Sequence, residues 1–143
     1  MVGFKVLSAM KDAAFEEKPI STLALAVGDL IERDADDTTW VKTDSSSECF
    51  TRKAIVFEAT TASDTKVLSY ELDGTEVVEA QCTNTADASD NGDRMTLTDE
   101  NTVNNSGSDV STSVVSFIQD RLGSTTTSII GRVLVGNGID LAA

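Results

Sequence analysis

An all-β domain, built as a small antiparallel barrel or sandwich, is the fold class the sequence predicts. Three observations carry it. Apolar and polar residues alternate with period two in several short runs, the apolar supply is mostly branched aliphatic, and Gly- or Asp-containing turns punctuate the runs. The chain has 143 residues, 40% apolar, with five phenylalanines, one tryptophan and one tyrosine. A single domain of this size buries about 68–70% of its unfolded surface, enough for one core without disulfide or metal staples.

The leading segment reads differently from the rest. In "MVGFKVLSAMKDAAFEEKP", Leu7, Met10, Ala14 and Phe15 recur at near-helical spacing, and Pro19, the only proline, closes the stretch. Residues 1–19 are therefore expected to be an N-terminal arm, either extended or holding a short helix, that docks on its own core or orders on a partner. Phe4, Val6, Leu7, Met10 and Phe15 are its candidate partner-binding residues. The stretch lacks the continuous apolar centre and cleavage site of a signal peptide.

Residues 20–143 read as the β domain. Eight strands are expected, over 29–33, 38–43, 52–60, 66–72, 76–82, 93–98, 113–120 and 128–135. Within 66–72, Leu68, Tyr70 and Leu72 share a face, and within 93–98 Met95 and Leu97 alternate with Arg94, Thr96 and Thr98. The run 113–120 is ambiguous, because Val114, Val115, Phe117 and Ile118 also suit a short helix. Asp73-Gly74, between two expected strands, is the strongest hairpin signal, since a tight primed turn needs positive φ. Asn91-Gly92 and Asn137-Gly138 are further turn candidates. A faint echo pairs Gly28-Asp29 with Gly92-Asp93, Thr38 with Thr102 and Gly74 with Gly138, each 64 residues apart, which suggests a duplicated half-barrel.

Charge narrows the function classes. With 24 acidic against 11 basic residues the net charge is −13, a field that repels phosphate backbones and anionic lipid heads. Neither nucleic acid nor membrane is an expected partner, and no apolar run reaches the ~18 residues that a spanning helix needs.

Catalytic and metal motifs are poor. No histidine exists, so the commonest general base and metal ligand is missing. Ser8 and Lys11 match a Ser-x-x-Lys pattern without its usual companions. Asp87, Ser89, Asn91 and Gly92 imitate the start of a calcium loop, but Thr98 stands where a bidentate glutamate belongs. Asp34, Asp36 and Asp37 form an acidic cluster expected in a solvated turn. Asp99 and Glu100 are a carboxylate pair of unknown separation. Trp40 and Tyr70 fit either a sugar platform or, more commonly, a core. Cys49 and Cys82 read as buried thiols in preference to a disulfide. No cofactor and no enzyme activity are expected. The polar stretch 101–109 is expected as plain surface.

One combination goes further. "LALAVGDLIERD", then "RKAIVFEATTASDTKVLSYELDGTEVVEAQ", then a closing "SIIGRVLVGNGIDL" resembles the head decoration, or cement, proteins of tailed bacteriophages over residues 24–140. The resemblance implies a β-tulip-like barrel or sandwich. It also implies a homotrimer on the outer surface of a capsid, at three-fold positions, bound to the major capsid protein and stabilising its lattice. The alternative is a surface or secreted β-sandwich that binds calcium or carbohydrate.

Overall fold

A computed structural model describes residues 3–9, 15–33, 38–106 and 112–136. Eleven strands occur among them: β1 (Phe4–Ser8), β2 (Phe15–Pro19), β3 (Leu30–Arg33), β4 (Trp40–Lys42), β5 (Lys53–Val56), β6 (Lys66–Glu71), β7 (Val77–Gln81), β8 (Arg94–Asp99), β9 (Thr102–Asn104), β10 (Phe117–Leu122) and β11 (Ser128–Val133). They form two antiparallel sheets, one of order β1-β7-β11-β10-β8-β9 and one of order β2-β6-β5-β3-β4. Neither sheet closes, so the architecture is a sandwich and not a barrel. All eight expected strands are present, and 113–120 resolves as strand, shifted to β10.

One open alternative is decided and two expectations are corrected. Residues 4–8 and 15–19 take the extended form and not the helix: β1 pairs with β7 across a bulge between Val6 and Ser8, and β2 pairs with β6 over five consecutive residues. Spacing along the chain could not reveal that those two strands offered free ladder edges. Met10 and Ala14 lie outside the described residues. Asp73-Gly74 makes a tight turn, with Gly74 at φ +90°, but joins β6 of one sheet to β7 of the other instead of closing a hairpin. Buried Glu76 pulls the chain across, accepting from the Asp73 and Gly74 amides and from the Tyr70 hydroxyl. In the stretch 101–109, β9 hydrogen-bonds to β8 and drives Val103 fully into the core, so this part is not plain surface.

The suggested duplication is real at the level of backbone pairing. Apart from β1, the order β7-β11-β10-β8-β9 repeats the order β2-β6-β5-β3-β4 strand for strand. Register repeats as well. Ala54↔Glu71, Ile55↔Tyr70 and Val56↔Ser69 in the first copy match Phe117↔Val133, Ile118↔Arg132 and Gln119↔Gly131 in the second. A parallel bridge ties the residue after the first strand to the third strand in each copy, Ile20 to Trp40 and Cys82 to Val103. The same turn opens β3 and β8. Gly28 and Gly92 both sit at φ +92°, where an L side chain is strained, and the Asp29 and Asp93 amides donate to the carbonyls of Ala26 and Asp90.

The copies stack in tandem. Leu30, Ile55, Tyr70 and Leu72, from one face of the first sheet, join Ala80, Met95, Leu97, Val103, Phe117 and Ile129 of the second in the main core. The opposite face of the first sheet, through Ile31, Ala54, Val56 and Val67, packs with Ile20, Leu25 and Trp40 into a separate small core. Strand β5, "KAIV", is consequently buried throughout. Burial on both faces explains its unbroken apolar run.

Candidate functional site: an apolar groove beside two edge strands

β1 is one edge of the six-stranded sheet and β2 one edge of the five-stranded sheet, and an apolar groove of about 250 Å³ lies beside both. It is lined chiefly by Phe4, Val6, Phe15, Val27, Phe57 and Tyr70. Phe15 projects from β2 on the same face as Tyr70, its register partner, with ring centroids 6.2 Å apart. On its other side Phe57 approaches to 4.1 Å at an interplanar angle of 33°. Phe57 reaches this position because β5 ends in a bulge, where the amides of Phe57 and Glu58 both donate to the Leu68 carbonyl.

This surface is unusually greasy for so acidic a chain. Phe15 is 46% exposed, Phe57 47% and Val27 60%, and among the described residues Lys5 is the one ionic residue lining the groove. The floor is rigid. Burial, reinforced by the neighbouring Glu76 carboxylate, pushes the Tyr70 phenol up to about 12, so it stays a neutral donor to Glu76.

Of the five residues expected to bind a partner, three line the groove: exposed Phe15, half-buried Val6 and, at its floor, buried Phe4. Leu7 is exposed on β1 and outside the groove lining. Phe4 is corrected to a core residue, 3% exposed, with its ring 6.5 Å from that of Phe117. Met10 lies outside the described residues. Val27 and Phe57 were missed. Phe57 read as the interior of the expected strand 52–60, and Val27 as a single apolar residue in the turn before β3.

The remaining candidates have structural partners. Trp40 is buried, 4.8 Å below the Lys18 ammonium and 5.5 Å from the Arg52 guanidinium, so no sugar platform exists there. Lys18 is itself buried and pairs with Glu71 at 2.6 Å and Glu16 at 2.9 Å, while Arg52 holds Glu71 through two hydrogen bonds. Asp87 caps a short 3-10 turn, Ala88–Asp90, accepting from the Ser89 amide. Asp99 accepts from the Asn101 amide, and Glu100 pairs with Lys42 at 3.3 Å. Cys49 and Cys82 are free thiols. Among the described residues no three His, Cys, Asp or Glu side chains converge as a metal site. The cluster Asp34, Asp36 and Asp37 lies outside them, as do Lys11 and Asn137-Gly138.

No family model, curated protein or solved structure matches the chain.

Proposed function

We propose that this protein is a structural binding protein, a decoration protein of a tailed-phage head. On this reading it sits on the outer surface of the capsid at three-fold positions as a homotrimer. It binds the major capsid protein and stabilises its lattice, without catalysis and without nucleic-acid or membrane contact. The observation that carries the reading is the apolar groove with its exposed Phe15–Phe57 pair on an otherwise strongly acidic sandwich. The resemblance of residues 24–140 to decoration proteins supplies the partner. Covering the exposed halves of two phenylalanines contributes about 1 kcal/mol each, and three linked copies multiply the gain by avidity. A ligand that binds only the assembled shell stabilises it by mass action.

The test is a co-sedimentation assay with tailed-phage heads stripped of this chain, paired with thermal release of their DNA. Wild-type protein is expected to pellet with the heads and raise their disruption temperature. A Phe15→Ser/Phe57→Ser variant with an unchanged circular dichroism spectrum is expected to stay in the supernatant. Heads that retain no wild-type protein would defeat the reading.

A further inference from the structure

The duplication exposes an unfilled place. In the second copy β7 has neighbours on both sides, β11 and β1; in the first copy, among the described residues, its counterpart β2 pairs with β6 alone. Matching the registers sets Ile20 against Cys82, Lys18 against Ala80 and Glu17 against Glu79. The Ile20 amide bonds to Thr65, so the Glu17 N–H and C=O, three residues back, point away from β6. Glu79 spends the same outward groups on Lys5 of β1, and its carboxylate, favoured chiefly by hydrogen bonds from Ser124 and Ser128, also lies in the field of the Lys5 ammonium. Among the described residues nothing pairs with the outward backbone of Glu17, and its side chain has only exposed Lys66, at 3.8 Å. Phe15, two residues away on the same face, opens onto the apolar groove.

We propose that the free edge of β2 binds an extended segment of a partner protein as an added antiparallel strand, with a basic residue against Glu17 and an aliphatic one over Phe15 into the groove. β1 on β7 is the pattern for this addition. A second copy of the chain is the wrong occupant, because antiparallel pairing of β2 with itself would set either Glu16 or Glu17 against its own equivalent, between two molecules that each carry a net charge of −13. Pro19, whose missing N–H also faces outward, limits the addition to the Phe15–Glu17 end. The inference needs only this edge and groove and holds whether or not the partner is a capsid subunit.

The probe is a short capped threonine peptide carrying a lysine and, two positions later, a valine, titrated into isotope-labelled protein. Saturable shifts centred on Glu17, Phe15 and Phe57 are expected. Replacing the peptide lysine by glutamate, or N-methylating its amide, weakens binding by about tenfold or more, because one change removes the charge pair and the other a ladder bond. Glu17→Lys reverses the preference between the lysine and glutamate peptides. Equal binding of all three peptides would overturn the proposal, as would no saturable binding. A Glu17 amide already protected from exchange in the free protein, or a dimer by sedimentation that Glu17→Lys separates, would also overturn it.

Discussion

The two five-stranded copies share a register and almost no side chains. At matched positions on the inner face, Lys18, Trp40, Val56 and Glu71 of the first stand where the second has Ala80, Val103, Gln119 and Val133. On the opposite face, Leu30 and Tyr70 correspond to Arg94 and Arg132. The tandem stack explains both contrasts. The outer face of the first copy is roofed by the second and must be apolar, whereas the outer face of the second is the end of the stack and carries charge, as terminal repeats do. The inner face of the second copy holds the main core. That of the first closes over a small core, with an ion network at its margin. Backbone pairing and the Gly-Asp turn are therefore the common element, and side chains follow the layer in which each copy stands.

Removing the ion network from the first copy is the change expected to separate the copies most. Burial opposes ionisation of Glu71, but hydrogen bonds from Arg52 and Lys18 outweigh it and hold the carboxyl down at about 2, against an ordinary 4.5. A folded-state value below the unfolded one stabilises above pH 4.5 and loses that contribution as pH falls towards 2. Glu71→Gln leaves buried Lys18 with exposed Glu16 as its one carboxylate among the described residues, at a cost of about 2–4 kcal/mol in urea unfolding at pH 7. The mutant should also lack part of the wild-type acid transition. Lys18→Ala/Glu71→Val, which installs the residues of the second copy, is expected to recover most of the loss, since a buried ion pair and an apolar pair are often equivalent. A double variant no better than Glu71→Gln would show that the copies are not interchangeable here.

A smaller effect belongs to Lys53, which heads β5 where Ser116 precedes β10. Both are fully buried, and the carbonyls of Lys53 and Ser116 accept from Leu72 and Leu134 in turn. The Lys53 ammonium donates to the Glu48 and Leu134 carbonyls at 2.6 and 2.8 Å. Burial lowers it to about 8 from an ordinary 10.5, against the pull of Glu32, Cys49 and Glu48. The unfolded chain therefore binds the proton more readily between these values, so stability rises with pH from about 8 towards 10.5, by on the order of 1–3 kcal/mol. Tyr70 acts in the opposite sense once pH exceeds 10, its ordinary value, and the Cys82 thiol, raised by burial, does so above 9, so the rise is read between pH 8 and 9. Thermal melts across that window should climb for the wild type and stay flat for Lys53→Met.

Strand content was legible because period-two alternation depends on local sequence alone. Pairing was not. Nothing near Phe4 or Phe15 shows that β7 and β6 need a neighbour, and nothing near Asp73 shows that the next strand leaves the sheet. The duplication was faint for a definite reason. Matched residues lie 62 apart at Ile20 and Cys82, 64 apart at Ile31 and Met95, 63 apart at Trp40 and Val103, and 62 apart at Val67 and Ile129. A fixed offset aligns the Gly-Asp turns and then loses register. The groove was half legible. Phe15 and Val6 were apolar residues without an obvious core, whereas Val27 and Phe57 come together only through a turn and a bulge.

The Gly-Asp turn itself is the least costly place to test the shared element. Gly92 has open space around the position of an added Cβ, so Gly92→Ala measures the strain of φ +92° alone, about 1 kcal/mol. Gly28 has the same φ, but its carbonyl accepts from the Phe4 amide at 2.8 Å, and a Cβ on Gly3 would lie 2.6 Å from that oxygen. Any shift of the turn at Gly28 is therefore transmitted to β1, whereas a shift at Gly92 meets only the link to β10. Gly28→Ala should cost more than Gly92→Ala in equilibrium unfolding and raise amide exchange along β1. Equal costs with β1 undisturbed would mean that the two turns are independent of what packs on them, and that the second copy holds β1 through β7 alone.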